Sequence, residues 1–169
     1  MLPPQIIFGY HGCDETIAKM ILEGGHMKAS TNPWDWLGHG IYFWERSVVR
    51  ALRWAREMTQ LPGSLVRTPA VVGAIINLGT CLDLADPESA DFVTEAYADY
   101  IERCRSTGVE PARNKGPESK ARFLDCSVIN FTSLKNSCVP TPFVAHCLPQ
   151  SFTASSRLAL SGTNETPKT

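Results

Sequence analysis

The sequence predicts an α+β fold, and three observations carry that expectation. Short apolar runs of strand character at 5–10, 41–44 and 70–78 are interleaved with helical periodicity at 15–23, 48–58 and 88–104. The strongest strand run, Ala70 to Leu78, meets Gly79-Thr80 and then a shorter run, the pattern of an antiparallel hairpin. There is no internal repeat and no regular strand–helix–strand alternation, which argues against a doubly wound nucleotide-binding sheet.

Composition sets the outer bounds. The 169 residues suit one domain, with 43% hydrophobic and 20% charged residues, as in a globular protein with a real core. Sixteen basic residues against seventeen acidic ones leave a net charge of −1, so nothing global recruits a polyanion or an anionic membrane. No run approaches the ~20 apolar residues of a membrane span, and Met1-Leu2-Pro3-Pro4-Gln5 lacks the basic-then-apolar pattern of a signal segment. A cytoplasmic location is the expectation. The six cysteines include no C-x-x-C pair, so they read as reduced packing thiols, and no metal is expected.

Taken in order, Gln5 to Tyr10 reads as a buried strand ending at His11-Gly12. Asp14 caps a helix over 15–23, with Ile17, Met20 and Ile21 at helical spacing and Gly24-Gly25 as its stop. His26 to Gly40 has no periodicity and exceeds the ~4–6 residues of an ordinary connection; Trp34 and Trp36 within it point to a functional loop. Ile41 to Trp44 reads as a second strand. The next helix shows Val48, Val49, Leu52, Ala55 and Met58 on one face and Arg50, Arg53 and Arg56 on the other.

Ala70 to Leu78 pairs, on this reading, with Cys81 to Leu84 as a hairpin. Pro87 opens a helix over 88–104 bearing Phe92, Ala96, Tyr100 and Cys104. A basic, polar loop covers 105–122, and Cys126 to Phe131 is read as a last strand. Residues 1–131 are therefore expected to form the folded domain. Residues 132–169 form a segment rich in Ser, Thr and Pro, in part disordered, in which Glu165 is the one acidic residue after Asp125.

Two blocks carry the chemistry: Tyr10-His11-Gly12, and Trp36-Leu37-Gly38-His39-Gly40-Ile41-Tyr42-Phe43. A glycine after a strand-ending histidine lets a ligand approach bare backbone, whose N–H and C=O can bond an amide while the imidazole bonds a hydroxyl. An aromatic ring delivered by a glycine-flanked turn can stack on a flat cationic heterocycle, worth roughly 0.5–2 kcal/mol. Each residue alone has a plainer reading. His11 would be a structural histidine, Tyr42 a core aromatic, and the arginines a solvated helix face. His26 and His39 read as loop residues without a role. The acidic cluster Asp83, Asp86 and Glu88 suits a helix start better than a glycosidase pair. Cys13 has no evident base to activate it.

Together, His11-Gly12 and Gly38-His39-Gly40-Ile41-Tyr42-Phe43 resemble the His-Gly and Gly-x-Gly-Ile-Tyr-Phe blocks of poly(ADP-ribose)-polymerase-like ADP-ribosyltransferases of the His-Tyr-Glu branch. The stretch Ser30 to Ala55 is also similar to small prokaryotic and phage proteins of that kind. The likeness is good over 6–84, weaker through the block Leu124 to Asn130, and stops after Phe131.

The resemblance implies a split mixed or antiparallel β-sheet clamp with flanking helices. It would bind NAD⁺ as co-substrate and transfer ADP-ribose to a macromolecule, protein or nucleic acid, with hydrolysis as a side or main reaction. It implies that His11 bonds ribose hydroxyls, that Gly12 holds the carboxamide and that Tyr42 stacks on the nicotinamide. Ser30 and Gly40 are counted with the cofactor-binding residues; Arg50 or Arg53 would meet the pyrophosphate, and Trp54 would replace a second ring of the polymerases. The family's third catalytic residue, usually Glu, has no clear counterpart, and Gln150 is the candidate. The resemblance further implies a toxin or phage-related effector held by an antitoxin. A catalytically impaired NAD- or partner-binding domain stays open as the alternative.

Overall fold

The computed structural model describes residues 6–78, 81–135 and 159–161, with the backbone alone for 133–135 and 159–161. These residues form an α+β structure in two compact units. The first, a sheet unit, holds Ile6–Met27 and Phe43–Asn77 together with 159–161; the second, a helical unit, holds Lys28–Tyr42 and the described residues from Leu78 to 135. Among the described residues no helix is long and apolar enough to cross a membrane.

The sheet unit is built on β1 (Ile6–Asp14), β2 (Trp44–Glu45), β3 (Pro69–Asn77) and β4 (Ala159–Ser161), in the order β2-β1-β3-β4 and antiparallel throughout. β1 and β3 pair over nine residues each without a bulge, from Ile6↔Asn77 to Asp14↔Pro69. Strand alternation then puts Ile7, Gly9, His11 and Cys13 on one face with Ala70, Val72, Ala74 and Ile76. Helix α1 (Glu15–Leu22) packs there: Cys13, Ala18, Ile21, Ala70 and Val72 form one buried cluster. Helix α2 (Val48–Thr59) covers the Gly12 face with its buried Ala51 and Ala55.

Asp14 ties this unit together. Its carboxylate caps α1 through Thr16 N–H (3.0 Å) and Thr16 O–H (2.7 Å). It also accepts Arg67 N–H at 2.7 Å and Thr68 N–H at 2.9 Å where β3 begins. The Thr68 bond first, then those of Thr16 and Arg67, holds the carboxyl well below the usual carboxylate range. Burial and this neighbouring carboxylate push the Cys13 thiol up to about 11, a packing cysteine rather than a nucleophile.

The helical unit consists of the loop 28–42, α3 (Pro87–Thr107) and α4 (Phe123–Lys135). Gly108, left-handed at φ 68, ends α3. Asn114 starts α4, its Oδ1 accepting Leu124 N–H at 2.9 Å while its Nδ2 donates to Asp125 Oδ1 at 3.0 Å. Leu37, Ile41, Leu82, Ala96, Cys104, Cys126, Val128 and Ile129 supply the buried apolar side chains.

Several expectations are corrected here. The strand expected at Cys126 to Phe131 is the middle of α4. Its buried residues Cys126, Val128, Ile129 and Thr132 fall at helical spacing, and Thr132 O–H is satisfied by the Val128 carbonyl at 2.8 Å. Burial of that stripe overrides the β propensity of Val128 and Ile129. Among the described residues Cys81 to Leu84 forms no strand beyond a single bridge position at Leu82, and β3 pairs with β1 and β4 in place of the expected hairpin partner; the turn at 79–80 lies outside the described residues. The strand expected at 41–44 shrinks to Trp44–Glu45. Of 132–169, all but 132–135 and the backbone of β4 lies outside the described residues, and Gln150 with it.

Candidate functional site

In the sheet unit, His11 and Gly12 end up with opposite orientations because neighbouring strand residues alternate. The half-buried His11 ring lies against the buried Phe43 ring, centroids 5.7 Å apart and tilted by 57°. Gly12 faces α2 instead. A Cβ built on it would lie 2.3 Å from the Ala51 carbonyl oxygen and 3.1 Å from Trp54 Cε3, so glycine is what allows helix and strand to approach this closely.

The Gly12 peptide has a second property. The Phe8 carbonyl accepts Arg46 N–H at 2.9 Å, which puts the backbone groups of Phe8, Tyr10 and Gly12 on the β2 edge of β1. Pairing with β2 ends at Tyr10↔Trp44, one residue short of His11. The Gly12 N–H and C=O therefore lie past the last β2 partner, while the buried Gly12 turns its Cα face to Ala51 and the Trp54 ring. One turn before Trp54, Arg50 stacks its guanidinium 5.3 Å from the centre of the Trp44 ring. Arg53 is turned to solvent, its Nε 2.9 Å from Glu57 Oε1 in an exposed i,i+4 pair. Within this unit the structure thus groups Gly12, Trp54 and Arg50, with His11 on the other face of the strand.

In the helical unit, Ser30, Gly40 and Tyr42 belong to one closed loop. Ser30 N–H donates to Gly40 O (2.7 Å) and Gly40 N–H to Ser30 O (2.9 Å). Inside that bridge, Asn32 N–H donates to Asp35 Oδ2 at 3.1 Å and Asn32 Nδ2 to Ser30 Oγ at 2.9 Å. Tyr42 O–H donates to the Gly38 carbonyl. Burial, and after it the Asp35 carboxylate, raises the Tyr42 phenol above its ordinary range. Tyr42 is consequently a neutral ring and a hydrogen-bond donor, suited to positioning and not to proton abstraction.

Sequence reasoning missed the groups that anchor this loop. Asn130 Oδ1 accepts His39 N–H at 2.8 Å and Asn130 Nδ2 donates to Cys126 Sγ at 3.4 Å. Cys126 in turn donates to the Asn32 carbonyl at 3.5 Å. Cys126 and Asn130 are four residues apart, one helical turn, a signal that goes unread while the segment is taken for a strand. The exposed Trp34 meets Phe123 edge-on at 6.0 Å, and Lys115 Nζ sits 5.3 Å from the centre of that Phe123 ring. An apolar cleft of about 400 Å³ between α3 and α4 is walled by Trp36, Leu37, Leu84, Tyr97 and Ile129. Among the described residues no group of three or more His, Cys, Asp and Glu side chains gathers as for a metal ion.

Compared with protein-family models, with curated proteins and with solved structures, the chain gives no match.

Proposed function

We propose that the chain is an ADP-ribosyltransferase. It binds NAD⁺, breaks the nicotinamide–ribose bond and passes ADP-ribose to a macromolecular acceptor, protein or nucleic acid. The observation that carries this reading is the Gly12 peptide: it lies on the β1 edge past the last β2 partner, with the Trp54 ring against it and His11 beside it in sequence. An amide N–H and C=O pointing the same way from one residue match a carboxamide, and an indole against the same residue suits a flat ring. The resemblance supplies the roles: His11 would bond ribose hydroxyls, the neutral Tyr42 ring would stack on nicotinamide, and Arg50 would meet the pyrophosphate. Ser30 and Gly40 shape the loop that delivers Tyr42. The C–N bond breaks with its electron pair leaving on nicotinamide, and the oxocarbenium-like ribose is taken by an acceptor oxygen or nitrogen that gives up its proton.

A second reading, an NAD-binding or partner-binding domain without turnover, is favoured by one observation. The late strand β4, Ala159-Leu160-Ser161, contains no acidic residue, and Glu165 is the one acid after Asp125, so no carboxylate is at hand on that strand to stabilise developing positive charge. Incubation with NAD⁺ labelled in the nicotinamide ring separates the two. The enzyme reading expects release of free nicotinamide, reduced at least about tenfold by His11→Ala and by Tyr42→Ala. Binding without release supports the second reading in its NAD-binding form, and neither binding nor release defeats the enzyme and the NAD-binding domain alike, leaving a partner-binding domain. An antitoxin-like inhibitor is expected to block whichever activity is found.

A further inference from the structure

The Gly38–His39 peptide is held at both ends. Its carbonyl accepts the Tyr42 hydroxyl and its N–H donates to Asn130 Oδ1 at 2.8 Å. Because the donor and the acceptor belong to one conjugated amide, each bond polarises the other, so Tyr42 and Asn130 are linked through a single rigid peptide plane. The plane has little freedom to turn. Gly38 is left-handed at φ 80, and a Cβ on it would lie 2.7 Å from Asn130 Oδ1 and 2.9 Å from Ile129 Cγ2. The Asn130 carboxamide is itself oriented, since its Nδ2 donates to Cys126 Sγ at 3.4 Å and that thiol donates to the Asn32 carbonyl at 3.5 Å. Asn32 closes the circuit to Ser30, which is bridged to Gly40.

We infer that Asn130, on α4, is the positioning residue of Tyr42: it fixes the Gly38–His39 peptide whose carbonyl holds the phenol, and so sets the direction in which the ring is presented. The inference rests on the proposed function insofar as Tyr42 serves a nicotinamide. Its geometric part does not. Asn130 touches no reacting atom, and its contribution is the acceptor it offers to His39 N–H.

The test uses the whole chain and two variants, each first checked for a cooperative melt. Amide hydrogen exchange at His39 is read together with KM and kcat for nicotinamide release from NAD⁺. Asn130→Ala removes the acceptor: His39 is expected to exchange at least about tenfold faster, and KM to rise about tenfold with a smaller change in kcat. Asn130→Asp keeps an oxygen for His39 N–H, and both quantities are expected to return to within about threefold of wild type. Adding Tyr42→Phe to Asn130→Ala is expected to cost less than the sum of the two changes, because the same linkage is cut twice. The inference is overturned if Asn130→Ala changes neither His39 exchange nor KM, or if a folded Asn130→Asp is as impaired as Asn130→Ala. A wild-type chain that releases no nicotinamide sinks the functional reading instead, and the His39 exchange rates of the two variants then decide the positioning by themselves.

Discussion

Replacing Gly12 by alanine separates what this glycine does for the fold from what it does for the site. The added methyl group would sit 2.3 Å from the Ala51 carbonyl oxygen, in the main chain of a helix whose Ala51 is fully buried, so no side-chain rotation relieves the collision. α2 has to move off β1. Overpacking of this kind costs about 1–3 kcal/mol, and a rigid backbone target places Gly12→Ala near the top of that range, at about 3 kcal/mol. For a chain of this size each kcal/mol lowers the melting temperature by about 2–4 °C, which makes the expected drop about 6–12 °C.

Gly9 provides the internal comparison. A methyl there meets Ile76 Cδ1 at 2.5 Å, the far end of a side chain that can turn away, and Phe43 Cβ at 3.0 Å. Its cost is expected to be about 1 kcal/mol, or about 2–4 °C. Both variants gain the same small entropic benefit from a stiffer unfolded chain, so the difference between them isolates the collision. Thermal melts followed by circular dichroism without NAD⁺ give the answer. A Gly12→Ala chain melting within about 1 °C of wild type, or above Gly9→Ala, would refute the close-approach argument. It would also free Gly12 to be read as a site residue alone.

Asp14→Asn is expected to destabilise the fold near neutral pH and to matter less in acid. The folded carboxyl lies below its unfolded value of about 3.9, so its contribution is complete above that pH and fades as pH falls through the folded value. Urea melts of both chains at about pH 7 and about pH 3 check this, and a gap that widens in acid would contradict it. Gly38→Ala is expected to cost about 1–3 kcal/mol, through its positive φ and the close approach of Asn130, and to speed His39 amide exchange; an unchanged exchange rate would count against the peptide clamp. The buried Cys13, Cys104 and Cys126 are expected to resist alkylation at about pH 8 until the chain is unfolded, followed by mass spectrometry of labelled peptides. Rapid labelling of Cys13 in the native protein would overturn its assignment as a packing residue.

Local features of the chain are legible where the chemistry is local. Asp14 announces its cap because its acceptor oxygen lies two residues from the N–H it serves, and α2 is legible as a helix, although its buried stripe runs through Ala51 and Ala55 and leaves Val49, expected on the apolar face, 77% exposed. β1 and β3 are visible as apolar runs whichever strand they pair with. Their pairing is another matter: Gly79-Thr80 suggested a hairpin, yet β3 lies between β1 and β4, partners far away in sequence. Ser127-Val128-Ile129-Asn130 reads as strand because β-branched residues dominate it. It folds as helix because Asn114, ten residues before Leu124, supplies the starting cap and the core takes up Cys126, Val128, Ile129 and Thr132.

The site divides along the same line. The two blocks taken together, a histidine followed by glycine and an aromatic on a glycine-flanked turn, singled out His11, Gly12, Gly38, Gly40 and Tyr42, and so did their resemblance to a known family. The reasons for some of those glycines came from packing: the Ala51 carbonyl lies against Gly12, and the Asn130 oxygen, ninety-two positions beyond Gly38 in the chain (130 − 38 = 92), lies against Gly38. Hydrophobic period and capping act within one or two turns, so the element types that depend on them, and the residues worth suspecting, are legible along the chain. Strand partners, the helical state of α4 and the anchoring of Tyr42 depend on contacts between segments distant along the chain, and for those the tertiary structure alone decided.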